Sequence, residues 1–293
     1  MLVISDMTFG SSGQIVQASQ TERMNGREGA TVLVNGQLGS TVTARPGDRE
    51  RWRVVNACTS RYLDLRLDGQ RLQLLGNDSG RFGAPLDATS LRLLPGNRAD
   101  VIVTMAPGNS VLRAVPVDRG SAGMLGGSTR STAAVDPATV VVAGSAVSPA
   151  NELAVASAPR DLRYRTISRD RTLIMAMGMG GMGGGMMSFT IDGTTFDPGS
   201  VDHHVTSGTV EEWKIINTSP MDHPFHLHVW PMQVLSIGSE TATMPTWQDV
   251  VNVPAQSSSI VRIAFEDFSG KTVYHCHILD HEVNGMMGVI SVG

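Results

Sequence analysis

The sequence has few charged residues, no long apolar run and no recognisable signal peptide. Charged residues make up only 17% of the 293 residues, and the formal net charge is −4. Because no block of Lys and Arg is present, we exclude nucleic acid and membrane surfaces as partners. No uninterrupted apolar run approaches the roughly 20 residues of a membrane-spanning helix. Residues 1–7 lack the basic start and the length of a signal peptide, so no export signal is expected in this chain.

Cysteine is almost absent, since only Cys58 and Cys276 occur. Two cysteines exclude a disulfide framework, although they would allow one bridge. Cys58 follows an apolar run and is interpreted as a small buried residue. Cys276 stands between two histidines, which is a metal-ligand context. The two cysteines are therefore expected to have different roles.

Turn-forming residues are abundant, with 32 Gly and 14 Pro, and they separate short runs of β-branched and apolar residues. Such runs are typical strands of an all-β protein built from sandwiches. The clearest runs are residues 32–34, 51–55, 62–67, 99–104, 211–216 and 258–265.

One of these runs recurs in the second half of the chain. Residues 52–56 read WRVVN, and 161 positions later residues 213–217 read WKIIN. Upstream, Asn35-Gly36 corresponds to Asp192-Gly193, and downstream residues 62–67 fall on residues 223–228. The chain is therefore predicted to contain two copies of one sandwich. The predicted divisions are a first domain over residues 1–145, a linker rich in Ala, Ser and Pro over 146–165, and a second domain over 166–293.

At this offset the first copy has no metal ligands. Tyr62, Leu65 and Leu67 take the positions of the three histidines in residues 223–228. All eight histidines lie between residues 203 and 281, and none lies before residue 203. Metal binding is the usual explanation for such clustering.

Five histidines lie in two short motifs, HPFHLH at residues 223–228 and HCH at residues 275–277, and a sixth, His281, follows the second motif. In a strand, residues two apart share a face, so His275 and His277 are expected on one face and Cys276 on the other. One strand would then supply two different metal sites.

A thiolate, two imidazoles and a weak axial methionine are the ligands of a blue-copper electron-transfer centre. Cys276, His281 and Met286 lie within eleven residues, and His223 is the natural fourth ligand. A single histidine is more often an ordinary surface or core group, but six in this arrangement favour metal. The remaining pair, His203 and His204, is interpreted as part of a solvated loop. Met287 is interpreted as a packing residue.

Residues 223–228 and 275–286 resemble the copper signatures of the multicopper oxidases, the family of laccases, bilirubin oxidases and bacterial cuprous oxidases. Residues 35–36, 51–56 and 94–100 resemble the family's middle domain. The resemblance covers essentially the whole chain. It implies an all-β fold of two tandem cupredoxin-like Greek-key β-sandwiches, equivalent to the family's second and third domains.

The resemblance also implies a role for each ligand. Substrate would give electrons singly to type 1 copper, and a trinuclear cluster would reduce O2 to water. Glu282 matches a carboxylate that relays protons toward the cluster, with a solvated surface carboxylate as the alternative. The family usually works outside the cytoplasm, so a periplasmic or extracellular location is expected. The implied ligands are His223, Cys276, His281 and Met286 for type 1 copper, His226 for type 2 copper, and His228, His275 and His277 for the type 3 pair.

Two departures from the family pattern stand out. The cluster needs eight imidazoles, whereas these motifs offer four, because the family's first domain and its two His-x-His pairs are not in this chain. A missing N-terminal domain or a partner chain is therefore expected to complete the cluster. The second departure is small: Val229 stands where the family often has Gly.

Residues 175–187 contain six of the 16 methionines among many glycines. Glycine at this density predicts a flexible loop rather than a helix or a core strand. Thioethers select Cu(I), and the stretch resembles the methionine-rich insert of bacterial cuprous oxidases. A low-complexity linker without a binding role is the alternative. Met221 and Asp222 are candidates for a point of substrate access beside type 1 copper.

Three functions remain open from the sequence. The first is a copper oxidase that receives electrons from a phenol, Cu(I) or another metal ion and becomes complete only with the missing domain. The second is a non-enzymatic type 1 copper protein that transfers electrons or binds copper. It would not need the four further histidines. The third is an inactive remnant with exposed apolar surface.

Overall fold

The computed structural model describes residues 1–121, 133–148, 157–179 and 187–293. The chain forms two compact units, and a segment from early in the sequence belongs to the second of them. The first unit comprises Met1–Ala18, Arg27–Asp118 and Arg130–Pro159, and the second comprises Ser19–Gly26, Arg119–Thr129 and Arg160–Gly293. The domain limits at residues 145 and 166 stay predictions. Of the linker between them, residues 149–156 lie outside the described part of the chain.

The first unit is a pair of β-sheets. A six-stranded sheet has the order β2-β1-β4-β9-β6-β7, and a five-stranded sheet has the order β3-β11-β10-β5-β8. Its strands are β1 (Leu2–Met7), β2 (Thr31–Val34), β3 (Ser40–Ala44), β4 (Arg49–Asn56), β5 (Leu63–Leu67), β6 (Arg71–Asn77), β7 (Leu86–Ala88), β8 (Leu91–Leu93), β9 (Arg98–Thr104), β10 (Gly108–Val115) and β11 (Val135–Val142).

The second unit repeats this arrangement. Its sheets have the orders β13-β12-β15-β20-β17-β18 and β14-β22-β21-β16-β19, which are the first unit's orders shifted by eleven strands. Its strands are β12 (Arg169–Met179), β13 (Met187–Ile191), β14 (His203–Val205), β15 (Val210–Asn217), β16 (His223–Leu227), β17 (Met232–Ile237), β18 (Glu240–Gln248), β19 (Val250–Val253), β20 (Ser257–Ala264), β21 (Gly270–Cys276) and β22 (Met287–Val292). The prediction of an all-β fold of two tandem sandwiches is confirmed.

Helices are few among the described residues. They are α1 (Gln20–Asn25), a 3-10 turn at Leu162–Tyr164, and α2 (Leu279–Glu282). In the described part of the chain, no helix has the length and apolar character that crossing a membrane requires.

The same local chemistry builds both copies. Asn35 and Asp192 both have φ 52°, and the glycine after each has φ 77°, as the first hairpin turn of each copy requires. In each copy the side chain of this turn residue accepts a hydrogen bond from a strand N–H. The indole N–H of Trp52 donates to Glu50, and that of Trp213 donates to Glu211, at 2.7 and 2.9 Å.

The correspondence of the two copies shifts by one residue just before the histidines. Asn56 donates from its side chain to the carbonyl of Arg61, five residues on, whereas Asn217 donates to that of Met221, four residues on. The first copy therefore has one extra residue in this loop, and the offset falls from 161 to 160. The alignment of Tyr62, Leu65 and Leu67 with the histidines is wrong for this reason. The residues at those positions are Leu63, Arg66 and Asp68.

Each unit has its own apolar core between its two sheets. The residues on β15 alternate in burial, so that Trp213, Ile215 and Asn217 point inward. Phe225 on β16 and Tyr274 on β21 pack near Trp213, with ring centroids 6.5 and 5.9 Å away. This aromatic packing fixes the two strands that carry the histidine motifs.

Candidate metal centre

Strands β16 and β21 are antiparallel neighbours, and their register brings the two histidine motifs together. Phe225 pairs with Cys276, and His226 pairs with His275. Because side chains alternate along a strand, the sulfur of Cys276 enters the core while the imidazoles of His275 and His277 lie on the opposite face. The predicted separation into two sites on one strand follows from this register.

The first cluster consists of His223, Cys276 and His281, and all three are fully buried. The Sγ atom of Cys276 lies 3.4 Å from Nδ1 of His223 and 3.7 Å from Nδ1 of His281. The two Nδ1 atoms are 3.3 Å apart. These three donor atoms are close enough to bind one ion.

The loop after β21 delivers His281 to this cluster. Helix α2 turns the chain back, and the N–H of Met286 donates to the carbonyl of His281 at 3.0 Å. The N–H of Cys276 donates to the carbonyl of Met286, also at 3.0 Å. Met286 is fully buried in the same core cluster of side chains. All four predicted ligands of the first site therefore belong to one compact loop and its neighbouring strand.

The outer nitrogen of each imidazole in this cluster is hydrogen-bonded. Nε2 of His223 lies 2.7 Å from Oγ of Ser219, which itself donates to Oδ1 of Asn217. The Ser219 hydroxyl has one proton, so it accepts from His223 Nε2–H. Nε2–H of His281 donates to the carbonyl of Met24 at 3.1 Å. Both Nδ1 lone pairs are therefore left facing the thiol, as metal ligation requires.

Burial governs the protonation of the cluster. Desolvation, with a smaller effect of the Arg119 charge, lowers the pKa of His223 to about 3. Desolvation likewise holds the pKa of His281 well below its ordinary value. Desolvation also raises the pKa of the Cys276 thiol to about 12. Neutral imidazoles beside a buried sulfur fit a soft copper ion, which binds after one proton leaves the thiol.

The second cluster lies on the other face of the strands. The ligand atoms of His226, His228 and His275 lie within 4.8 Å of one another. Nε2 of His228 is 3.0 Å from Nε2 of His275. The ring of His277 is 5.3 Å from that of His226 and 5.5 Å from that of His275, between centroids. The structure thus brings all four predicted cluster histidines together.

Hydrogen bonds orient this cluster as well. Nδ1–H of His226 donates to the carbonyl of Asp249 at 2.6 Å. Nδ1 of His275 lies 3.0 Å from the carbonyl of Cys276 and 3.2 Å from Oε2 of Glu282. Desolvation lowers the pKa of His226 to about 4. The Glu282 carboxylate has a lowered pKa, chiefly because of its hydrogen bond with His275.

Glu282 is next to the first cluster in sequence and next to the second cluster in space. It directly follows the predicted ligand His281, and its carboxylate contacts His275. The Glu282 side chain is 26% exposed and is bonded to an imidazole, which favours a role at the cluster over that of a solvated surface carboxylate; the relay of protons stays a prediction.

Several residues differ from their predicted surroundings. His203 and His204 lie on β14 rather than in a loop. His204 is exposed, but His203 stacks on Tyr274 with centroids 5.6 Å apart and contacts the edge of Trp213. The solvated-loop interpretation is therefore wrong for His203. Its aromatic contacts come from distant strands and leave no local signal.

The methionine-rich stretch is not simply a loop. Its first five residues end β12, and Met187 begins β13. Met175 is fully buried in the core of the second unit, and β12 is hydrogen-bonded to β13 on one side and to β15 on the other. Pairing on both sides outweighs the low strand propensity of glycine. Residues 180–186 lie outside the described part of the chain.

The neighbouring residues Met221 and Asp222 are used by the fold. Met221 is fully buried, and the carboxylate of Asp222 accepts hydrogen bonds from Asn252 and Ala255. Met221 is therefore closed to solvent, whereas Asp222 is half-buried and its part in substrate access stays a prediction. Cys58 is buried and has a free thiol whose pKa is raised, chiefly by desolvation, in agreement with its interpretation as a small core residue.

A Greek-key β-sandwich with a buried cluster of one cysteine and two histidines, beside a methionine, belongs to the class of copper-binding β-sandwich proteins. Models of the multicopper oxidase family match residues 1–133 and residues 165–293. The chain belongs to the multicopper oxidase family, so the resemblance found in the sequence is confirmed.

Individual relatives agree with this assignment. The chain is 26% identical to a multicopper oxidase of Staphylococcus haemolyticus, covering 99% of this chain and 58% of that protein. It is 29% identical to a laccase of Bacillus subtilis, covering 98% and 61%. A solved multicopper oxidase from Campylobacter jejuni, described as a metallo-oxidase, has a TM-score of 0.83 at 30% identity, covering 99% and 63%. The chain thus spans about three fifths of the length of these relatives.

Proposed function

We propose that this chain is the electron-accepting part of a copper oxidase that passes electrons from a small reducing substrate to O2. The His223, Cys276 and His281 cluster carries the proposal, because a buried thiol between two neutral imidazoles is a ligand set with little use outside electron-transfer copper. Met286 would complete this type 1 site. Copper bound there would accept electrons one at a time, and copper held by the other histidines would supply O2 reduction to water.

The polypeptide gives the two sites a short covalent connection. Cys276 is bonded in sequence to His275 and His277, which face the second cluster. Nδ1–H of His275 also lies 3.0 Å from the Cys276 carbonyl. An electron that arrives at the sulfur can therefore reach either imidazole along one continuous covalent path. His226 would serve the type 2 ion, and His228, His275 and His277 the type 3 pair.

Glu282 would handle protons beside the second cluster. Reduction of O2 to water consumes protons, and the carboxylate of Glu282 lies 3.2 Å from Nδ1 of the cluster histidine His275. With a lowered pKa it is ionised near neutral pH and can accept a proton from solvent on its exposed side.

Four further imidazoles would have to come from outside this chain. A trinuclear site of eight histidines exceeds the four present on this face, and His203 is engaged with Tyr274 and Trp213. A segment or partner chain with two His-x-His pairs is proposed to supply the rest. An extracytoplasmic location and a part in copper homeostasis stay predictions from the family resemblance.

The test is reconstitution. The purified chain with Cu(II) should develop the intense visible absorption of thiolate-bound copper without consuming O2. Adding a segment with the two histidine pairs should start O2 uptake with a phenol or Cu(I) as donor. Uptake that is unchanged in a Cys276→Ser variant would contradict the proposed electron path.

A metal-ion substrate is favoured by the methionines near β12 and β13. The Campylobacter jejuni relative is described as a metallo-oxidase, and thioethers select Cu(I). Replacing Met182 and Met186, both outside the described residues, with Leu removes two thioethers while the side chains stay apolar. In the reconstituted oxidase this change should raise KM for Cu(I) several-fold and leave phenol oxidation unchanged. Equal KM values would favour a linker without a binding role.

Electron transfer without oxidase activity is the second candidate. It is favoured by one observation: the first cluster is complete within this chain, whereas the second has only half of the required imidazoles. A chain that is blue with copper but inactive with every histidine-bearing partner would support this candidate.

A further inference from the structure

Arg119 is far from both histidine motifs in the sequence, but the fold places it near the first cluster. Arg119 is only 1% exposed. Its guanidinium donates to the carbonyl of Asn25 at 2.8 Å and to that of Gly26 at 3.3 Å. These two carbonyls directly follow that of Met24, which accepts the outer N–H of His281 at 3.1 Å. Three consecutive carbonyls at the end of α1 thus accept hydrogen bonds, one from the proposed copper ligand His281 and two from Arg119.

The backbone of the same arginine is fixed to the first histidine motif. The carbonyl of Arg119 accepts a hydrogen bond from the N–H of Asp222 at 2.7 Å, next to His223. Gly120 pairs with Met221 in an isolated bridge. Its φ is +72°, and a Cβ there would lie 2.2 Å from the carbonyl oxygen of Pro220. Only glycine permits this close approach, so the position of Arg119 is built into the fold.

Helix α1 would not hold this position by itself. A six-residue helix is far shorter than an isolated helix needs to be stable in water. Its N-terminus has a capping box of Ser19 and Glu22, and at its C-terminal end Arg119 donates to two of the carbonyls that a helix leaves without an intrahelical partner.

We propose that Arg119 is a positioning residue of the type 1 copper site: by fixing the carbonyl end of α1, it keeps the Met24 carbonyl on Nε2–H of His281. That hydrogen bond selects the tautomer in which Nδ1 faces the sulfur of Cys276. The inference rests on the proposed type 1 site. It assigns part of copper binding to residues that precede the ligands by more than a hundred positions.

The test compares Arg119→Met with Arg61→Met in the full chain. Arg61 is a matched control, since it is also a buried arginine that bonds a backbone carbonyl, that of Gly29 at 2.7 Å, but it lies in the unit without copper ligands. Titration with Cu(II) against a competing chelator should show a loss of roughly 10- to 100-fold in affinity for Arg119→Met. Arg61→Met should bind copper like the unmodified chain. Arg119→Lys should recover part of the loss, because it offers N–H donors without the planar fork.

A copper-free measurement separates this inference from the proposed function. Nitrogen–proton correlation spectra of the histidine rings should show His281 as the Nε2–H tautomer in the unmodified chain and as a mixture in Arg119→Met. If the unmodified chain forms no blue copper centre, the proposed function fails while the tautomer still tests the role of Arg119. An unchanged tautomer and unchanged copper affinity in a folded Arg119→Met variant would overturn the inference.

A second variant covers the case in which Arg119→Met does not fold. Ser19→Ala with Glu22→Ala removes the capping box at the other end of α1, where Ser19 is exposed. This double variant should lower copper affinity several-fold and make the His281 tautomer mixed. If both stay as in the unmodified chain, α1 does not position His281 and the inference is wrong.

Discussion

The two sandwiches have the same strand order, but only the second has candidate metal ligands on its fifth strand. Leu63 and Arg66 in the first copy stand where His223 and His226 stand in the second. The supporting framework is nevertheless shared, because Asn56 and Asn217 make the same pair of side-chain hydrogen bonds to neighbouring carbonyls. The comparison teaches that the fold provides a general frame, and that a few strand and loop positions add the metal chemistry.

Replacing a cysteine is expected to have the largest effect on copper binding, because Cys276 is a proposed ligand whereas Cys58 is a core residue. Cys276→Ser should abolish the visible thiolate–copper absorption, because oxygen is a poor substitute for sulfur in a type 1 site. Cys58→Ser should keep the absorption, since Cys58 is buried in the other unit. Absorption and copper content after desalting measure both. A blue Cys276→Ser protein would break the comparison.

The matched asparagines should separate stability from copper binding. Each is 1% exposed, and its side-chain amide donates hydrogen bonds to at least two backbone carbonyls. Replacement by Ala removes these donors from buried acceptors. Either change should cost about 2 to 4 kcal/mol of unfolding free energy, as measured with urea. Asn217→Ala should also weaken copper binding, because Asn217 bonds the hydroxyl that orients His223.

The control is Asn56→Ala, which should destabilise its own unit and leave the copper affinity of the folded chain unchanged. If the two variants weaken copper binding equally, the orienting role of Asn217 is wrong.

The pH dependence of copper binding should be set by one proton. The pKa of the Cys276 thiol is raised to about 12, so the thiol is protonated at neutral pH and must release its proton to the metal. The pKa of His223 is lowered to about 3, so His223 is already neutral and releases none. Copper affinity should therefore rise about tenfold per pH unit between about pH 6 and about pH 8. Competition titrations across this range measure the slope, and a slope near zero would show that the thiolate is not a ligand.

The smallest effect concerns a turn after the fifth strand of each copy. Gly69 and Val229 are equivalent at the offset of 160, and their φ values are 76° and 77°. A β-branched residue is strained in this region, whereas glycine is not. Val229→Gly should therefore stabilise the chain by about 1 kcal/mol, and Gly69→Val should destabilise it by about 1 to 2 kcal/mol. Thermal unfolding of both variants checks the signs; destabilisation by Val229→Gly would show that its side chain contributes packing that outweighs the strain.

The sequence predicted much of this arrangement because the signals are local. Alternation within HCH placed Cys276 and His275 on opposite faces, and the repeated WRVVN and WKIIN strands predicted the second sandwich. The same reasoning missed Ser219 and Met24, which orient the two imidazoles of the first cluster. Ser219 lies within a turn without a distinctive pattern, and Met24 acts through its backbone carbonyl, which no residue type encodes. The one-residue difference in loop length was also invisible, because only the side-chain bonds of Asn56 and Asn217 reveal it.

X-ray absorption by the copper-loaded chain tests the central assignment most directly. Bound at His223, Cys276 and His281, copper should have one short sulfur neighbour and two imidazole nitrogens in its first shell. The sulfur signal should disappear in Cys276→Ser and persist in Cys58→Ser. A first shell of nitrogen and oxygen alone in the unmodified chain would contradict the account.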